Sequence, residues 1–479
     1  MEINLTPLLP AAEVLLTALT VLLLDLFLRD EEKGLLAWIS VLGLAIAAGI
    51  IVILWGSQEG AFQDSYLLDG FSLFFSQFFV GVALITVLSS AHYLKETGIR
   101  QGEYYALILF STFGMILMAS ANDLILFFLG LETMSIAVYV LTGMWRERSE
   151  ASEAAMKYFI IGSFATGFLL YGIALIFGAT GSTNLSRIAA SLTQPGNPWP
   201  HFFYAGIFLL LIGLAFKVAA VPFHFWVPDV YDGAPTPVSG FMAVGVKAAA
   251  FAGWARIFLS QFAPLQSEWT YPLWVLAILT MTMGNLLAIT QSSVKRMLAY
   301  SSIAHAGYLL IAVVAGKEDG GQALLYYLLT YAPMTLGAFG VVMVLKKGEK
   351  NYEAYSDYAG LGFKRPFLGI AMSLFMLSLA GFPPLAGFTG KFYLFRSAVV
   401  AGYTSLAVIG ALNSLLSVIY YLRVIVMMYM EEGGVEGKSF ATAPLLYAAI
   451  AIGVVGTLYL GLLPATALDL SRLAFLSLR

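Results

Sequence analysis

Cysteine is absent from the 479-residue chain, and histidine occurs only at His92, His201, His224 and His305. Without cysteine there are no disulfides, no thiolate iron–sulfur ligation and no covalently attached haem. So few histidines make a bis-His haem site an unexpected outcome, and no redox centre is expected in this chain. Charge is also scarce: Asp, Glu, Lys and Arg make up 11% of the residues, against roughly 25% in soluble globular chains. No basic stretch is long enough to suggest nucleic acid, and the net charge of −3 separates no classes.

What fills the chain is apolar. Hydrophobic residues account for 60% and the mean hydropathy is +0.85. A soluble domain cannot bury that much apolar surface, whereas a bilayer takes it up. The 46 glycines suit close helix packing in lipid. The opening stretch Leu8–Leu28 has no basic n-region and is interrupted by Glu13 and Asp25, so it reads as a retained first span and not as a signal peptide.

Crossing the hydrocarbon layer takes about 20 apolar residues. With that ruler the spans fall at Leu8–Leu28, Leu35–Leu54, Phe71–Tyr93, Tyr104–Ser120, Leu124–Met144, Tyr158–Phe177 and Phe202–Phe223. They continue at Pro237–Phe258, Tyr271–Ile289, Met297–Ala315, Ala323–Leu345, Phe367–Val400, Thr404–Met430 and Pro444–Leu462. The expectation is therefore an all-α integral membrane protein of about fourteen transmembrane helices, the twelfth overlong and broken.

The basic residues orient it. With both termini outside, the inner loops hold Arg29, Lys33, Lys95, Arg100, Arg146, Arg148, Lys157, Lys295, Arg296, Lys346, Lys347, Lys350, Lys364, Arg365 and Lys438. The outer segments hold only Arg187, Lys317, Arg472 and Arg479, an asymmetry that a shift of one helix would scramble. The longest outer loop, Gly178 to His201, contains Pro195-Gly-Asn-Pro198 and reads as an irregular cap.

Six cations remain inside spans: Lys217, Lys247, Arg256, Lys391, Arg396 and Arg423. The three arginines lie nearer the span ends, where snorkelling is expected. The three lysines lie deeper, and a charge near the bilayer centre costs roughly 2.5–3.5 kcal/mol on insertion scales. Glu132, mid-span, is the best acid to pair with one of them. Burial and a nearby carboxylate pull the proton affinity of a lysine in opposite directions. Movement of Glu132 relative to Lys217 could therefore load and unload a proton. His224 and His305, with tyrosines and water, are secondary relay candidates, although a lone histidine on an apolar helix is as often a packing residue. Static ion pairs that fix helix register are the competing reading of the lysines.

Two segments carry helix breakers. Lys217 precedes Pro222, His224, Pro228 and Asp229, and Lys391 follows Gly381, Pro383, Pro384, Gly387 and Gly390. Proline removes a backbone donor, and carbonyls freed at membrane depth are tolerated where they line a cavity or are buried in protein. Interrupted segments in both halves, each beside a lysine, point to the transport site of repeat-built transporters. The registers differ: Lys217 lies five residues before Pro222, and Lys391 seven after Pro384. The second half also lacks an acid equivalent to Glu132 and offers Lys295 instead.

The stretch Ala121-Asn-Asp123 through Leu-Gly-Leu-Glu132 resembles the fifth-helix signature of the antiporter-like subunits of respiratory complex I. Phe216-Lys217 through Pro228-Asp229-Val-Tyr-Asp-Gly-Ala-Pro is similar to their broken seventh helix. Lys295-Arg296 through Tyr300-Ser-Ser-Ile-Ala-His305 belongs to the same pattern, and Leu379 through Lys391-Phe-Tyr looks like their broken twelfth helix. The likeness extends over nearly the whole chain and is nearest to the N type. No long C-terminal arm of the L type follows the last span.

The resemblance implies a proton-translocating membrane-arm subunit with two inverted five-helix repeats, residues 104–258 and 271–430. These lie in a single polytopic domain, between three N-terminal helices (1–95) and a last helix with tail (444–479). By motif position, Glu132 and Lys217 would form the first half-channel pair. Lys247 would be the connecting lysine, Lys391 the terminal carrier, and Lys157 secondary. The resemblance further implies a bacterial inner-membrane location, both termini periplasmic. Its partners would be K-, M-, L-, J- and A-type subunits and the lipid bilayer. NADH, FMN, iron–sulfur clusters and a quinone would be used in other subunits, with no cofactor or metal here. The competing functions are a subunit of a multi-subunit cation/proton antiporter and an inert membrane scaffold.

Overall fold

The computed structural model describes residues 4–99, 101–192, 199–347, 350–433 and 443–478. Arg100, Lys438, Arg479 and the Pro195-Gly-Asn-Pro198 stretch named above lie outside the described residues.

The chain opens with a hairpin of α1 (Leu9–Asp25) and α2 (Gly34–Ile53), followed by a short antiparallel ribbon of β1 (Glu59–Ala61) and β2 (Tyr66–Leu68), Glu59 opposite Leu68. Asp69 then starts α3 (Gly70–Thr97) with a reciprocal cap: its side chain accepts from the Ser72 amide at 2.7 Å, while its own amide donates to Ser72 Oγ at 2.9 Å. Helix α4 (Gln101–Ser120) is followed by α5 (Leu124–Thr142), whose first free amides donate to Asp123. Next come α6 (Ser149–Thr180) and the short α7 (Leu185–Leu192). The expected irregular cap thus contains a helical turn pair: Leu185 and Ile188 sit three residues apart, both buried, and Asn184 accepts from the Arg187 amide at 3.1 Å.

Helix α8 (His201–Lys217) stops at the first break and resumes as α9 (Trp226–Gly233). The next rod comprises α10 (Thr236–Phe241), a π-helical turn at Met242–Val246, α11 (Lys247–Trp254) and a second π-helical stretch at Ala255–Gln261. Three long helices follow, α12 (Gln266–Ile289), α13 (Val294–Ala315) and α14 (Lys317–Val344), then a two-residue ribbon of β3 (Lys346–Lys347) and β4 (Lys350–Asn351) and the turn α15 (Leu361–Lys364). The second interrupted pair is α16 (Pro366–Ala380) and α17 (Ala386–Val400). Helices α18 (Thr404–Met430), α19 (Pro444–Leu462) and α20 (Pro464–Leu476) complete the chain.

Among the described residues twelve helical segments are long and apolar enough to cross a bilayer, which makes this a multi-pass membrane protein. The two expected spans outside that set, 202–223 and 367–400, are the interrupted ones: proline breaks each rod into pieces too short to qualify, α8 and α16 among them. The segment Thr236–Gln261 is buried along its whole apolar stretch, and Val294–Ala315 and Glu318–Val344 nearly so. These three form the centre. Helices α2, α6, α18 and α19 lie outside them and turn apolar side chains such as Phe164 and Leu415 outward. Close approach of outer helices rests on small residues: a Cβ on Gly172 of α6 would lie 2.7 Å from the Gly206 carbonyl oxygen of α8.

Candidate functional site

Lys217 is the last residue of α8 and is buried. The chain cannot continue as helix because Pro222 supplies no amide hydrogen. Of the amides around the break, Ala220 N–H donates to the Ala215 carbonyl at 2.8 Å and Val221 N–H to Thr280 Oγ1 of α12 at 2.9 Å. The Lys217 amine donates to Ser135 Oγ at 2.9 Å and to the Tyr139 hydroxyl at 3.2 Å, both on α5. It also lies 5.5 Å from the centre of the Tyr139 ring.

The expected pairing of Glu132 with Lys217 is not formed. Glu132 is half-buried, its Oε1 has no hydrogen-bond partner, and no ion pair joins it to the lysine. The reason is register. Residues 132, 135 and 139 share one face of α5, and the amine reaches the two positions nearer the helix end, Ser135 and Tyr139, instead of Glu132.

Lys247 follows the first π-helical turn directly and sits in the fully buried central rod. Its amine donates to the Ser302 carbonyl of α13. One turn further along α13, His305 is clamped between two hydroxyls, Tyr327 at 2.6 Å from Nδ1 and Tyr421 at 3.1 Å from Nε2. Tyr421 also meets Ser301 Oγ at 2.5 Å. His224 is not part of this group: it lies half-buried in the first break, and its Nδ1 has no partner.

Lys391 lies on α17 and reaches back across the second break. Its amine donates to the Leu379 and Ala380 carbonyls at 2.9 and 3.1 Å and to Ser414 Oγ of α18 at 2.9 Å. These are terminal carbonyls of α16, the orphan acceptors that a helix end leaves open and where a cation is favoured. The Tyr308 ring lies 4.9 Å from the amine. Tyr308 also accepts from Asn285 at 3.2 Å, and Asn285 in turn accepts from Tyr420 at 2.8 Å and donates to Asn413 Oδ1 at 3.3 Å. Asn285, Asn413 and Tyr420 were not singled out from the sequence. Two buried amides facing each other from separate helices have no signature in one-dimensional order.

Lys157 sits apart from the dry lysines. It is partly exposed and paired with Glu153 at 2.6 Å and Asp229 at 3.2 Å. Two expectations need correcting. Arg256 does not snorkel: it is wholly buried, with its guanidinium 3.0 Å from Asp69 and donating to the Ala119 carbonyl at 2.9 Å. Lys295 is not a loop residue: it lies in the first turn of α13, fully buried, donating to the Asp232 and Ala234 carbonyls at 2.8 Å each and 3.5 Å from Glu353. Among the described residues no group of three or more His, Asp or Glu is placed to hold a metal ion.

Buried cations therefore fall into two kinds. Arg256 and Lys295 face carboxylates, whereas among the described residues the oxygens that Lys217, Lys247 and Lys391 meet are neutral. Residues 121–417 match the family described as NADH:quinone oxidoreductase/Mrp antiporter, TM, and this places the chain in the class of antiporter-like membrane subunits. Over 98% of its length it is 48% identical to NADH-quinone oxidoreductase subunit N of Trichlorobacter lovleyi, covering 97% of that protein. It is 44% identical to subunit N 1 of Solibacter usitatus, with 95% and 94% of the two chains covered. A chain of respiratory complex I from Thermus thermophilus superposes with a TM-score of 0.80 at 37% identity, covering 96% of this chain and 98% of that one. A chain of the Mrp complex from Dietzia superposes at 0.85 with 22% identity over 99% and 98%, a likeness of fold. The chain belongs to the NADH-quinone oxidoreductase subunit N family.

Proposed function

We propose that this chain is a membrane-arm subunit of a proton-pumping NADH:quinone oxidoreductase and that it moves protons through Lys217, Lys247 and Lys391, driven by electron transfer in other subunits. NADH, flavin, iron–sulfur clusters and quinone belong to those other subunits. The carrying observation is that three amines are buried inside the helical bundle with hydroxyl and carbonyl partners and, among the described residues, no ion-paired carboxylate. An ammonium in that setting bears an uncompensated desolvation penalty, which release of its proton removes. The hydroxyl and carbonyl oxygens around it hold the protonated form when it returns.

Glu132 is the acid that biases the first of these steps. It lies on the same face of α5 as Ser135 and Tyr139, the two residues that hold the amine, and a rearrangement of the first break would bring the two charges together. At about 4 Å and an effective dielectric near 20, contact would be worth ~4 kcal/mol, enough to hold or release a proton. His305, between its two tyrosines and one turn beyond Ser302, lies in the polar zone separating Lys247 from Lys391. Lys157 and His224 contribute at the edges. Two inverted repeats, 104–258 and 271–430, account for the two breaks. The location is a bacterial inner membrane, both termini outside, with K-, M-, L-, J- and A-type subunits as neighbours.

The test compares Lys217→Ala with Lys217→Arg in assembled complex reconstituted into vesicles. Both are expected to assemble and to lose most coupled proton transport, the arginine variant because a guanidinium does not release its proton. Full transport by Lys217→Arg would rule out a relay by deprotonation.

A further inference from the structure

A cavity of about 690 Å³ opens among the end of α1, the start of α4 and the turn from α5 into α6. Glu103 on α4 and Arg146 and Glu147 in the turn line it, and of its α5 residues Tyr139 lies farthest from that turn. Tyr139 is also the residue whose hydroxyl accepts from the Lys217 amine at 3.2 Å. One buried side chain thus borders the cavity and touches the amine. At ~30 Å³ per molecule the cavity has room for on the order of twenty waters.

We propose that this cavity is the water-filled inlet to Lys217 and that the Tyr139 hydroxyl makes the last proton transfer. The inference rests on the reading of Lys217 as a proton carrier. In the transfer, a proton borne by cavity water binds the Tyr139 oxygen while that oxygen's own proton passes to the lone pair of neutral Lys217. One O–H bond breaks as another forms, the tyrosine is regenerated, and the lysine becomes an ammonium. No redox partner is required.

The hydroxyl is held in place from three sides. The Tyr139 ring packs edge-on against Tyr158 at 4.7 Å and Phe159 at 5.8 Å. Gly162 leaves the room: a Cβ there would lie 2.2 Å from the hydroxyl oxygen. Tyr158 stacks on Trp226 of α9 at 4.4 Å. The second piece of the broken helix is therefore in contact, through one ring, with the group that delivers the proton. Among the described residues, the other ionisable or polar groups around this point are the Tyr158 hydroxyl of α6, Lys217 of α8, and Glu132 and Ser135 on α5 itself, with Glu103, Arg146 and Glu147 around the cavity.

Two measurements on the assembled complex test this. The chain has no cysteine of its own, so Leu107→Cys, in the cavity wall, is expected to react with a charged, membrane-impermeant thiol reagent. Ile136→Cys, on the outward apolar face of α5, is expected not to react. Tyr139→Phe keeps the ring contacts and removes the hydroxyl. It is expected to lower coupled proton transport at least about a hundredfold, the lower end of the range that one acid–base group supplies, and to raise the solvent deuterium isotope effect. A purely packing role would leave that isotope effect as in the parent. An unreactive Leu107→Cys, or a Phe variant transporting at the parent rate, overturns the inlet while the Lys217 variants still fail. If the Lys217 variants transport normally, it is the underlying reading that falls. The thiol measurement stands alone should Tyr139→Phe not assemble.

Discussion

The sharpest contrast in the molecule is between cations of equal burial and different company. Arg256 and Asp69 form a closed pair in which the carboxylate also caps α3, and an arginine in such a pair has no proton to exchange. Arg256→Met would strand Asp69 as a buried charge, a change of about 3–5 kcal/mol. The expected outcome is a lower thermal midpoint and poorer assembly, partly recovered when Asp69→Asn is added, since an asparagine oxygen still accepts the cap hydrogen bond. No recovery in the double variant would show that Arg256 acts through packing. The three lysines were legible in the sequence because each interrupts an apolar run far from its ends. Arg256 and Lys295 were not, because apolar windows place both near a span boundary. Arg256 is two residues from the expected end of its span, yet the rod continues as a π-helical stretch to Gln261 and carries it inside. The amine partners Ser135, Tyr139 and Ser414 depend on helix rotation, which a linear pattern does not encode.

At the scale of elements, both breaks were readable from their prolines, and both place a lysine against the open end. The reach from Lys391 to the α16 carbonyls depends on how tightly α17 docks. Gly387 N–H donates to Ser378 Oγ at 3.0 Å, and a Cβ on Gly387 would sit 1.7 Å from the Ser378 carbonyl oxygen. Gly387→Ala must therefore push the two pieces apart. Overpacking of this kind costs roughly 1–3 kcal/mol, and Lys391, one turn along, would lose at least one of its carbonyl contacts. The expected result is assembled complex with reduced coupled transport, read in vesicles beside a thermal melt. Parent-level transport would mean that the α16 carbonyls do not set the position of the amine. The π-helical turn preceding Lys247 left no trace in the sequence: Met-Ala-Val-Gly-Val contains no proline and reads as ordinary apolar helix.

For the whole molecule, the question is what ties the part containing the first break to the part containing the second. Two neighbouring cations at the start of α13 do so. Lys295, fully buried, holds the carbonyls at the end of α9 and faces Glu353, whereas Arg296, partly exposed, pairs with Asp229 at 2.9 Å and Asp232 at 3.5 Å. Their contributions should differ sharply. Exposed ion pairs are worth about 0–1 kcal/mol and are screened by salt, while breaking a buried one costs about 3–5 kcal/mol and is not. Lys295→Met is thus expected to lower the thermal midpoint strongly at any ionic strength. Arg296→Gln should lower it slightly in dilute buffer and not at all in high salt. If the arginine variant instead destabilised as much as the lysine variant, and did so in high salt, Asp229, Asp232, Lys157 and Arg296 would have to act as one unit. The half-helix α9, which carries the Trp226 ring stacked on Tyr158, would then be fastened by the network and not by the buried amine.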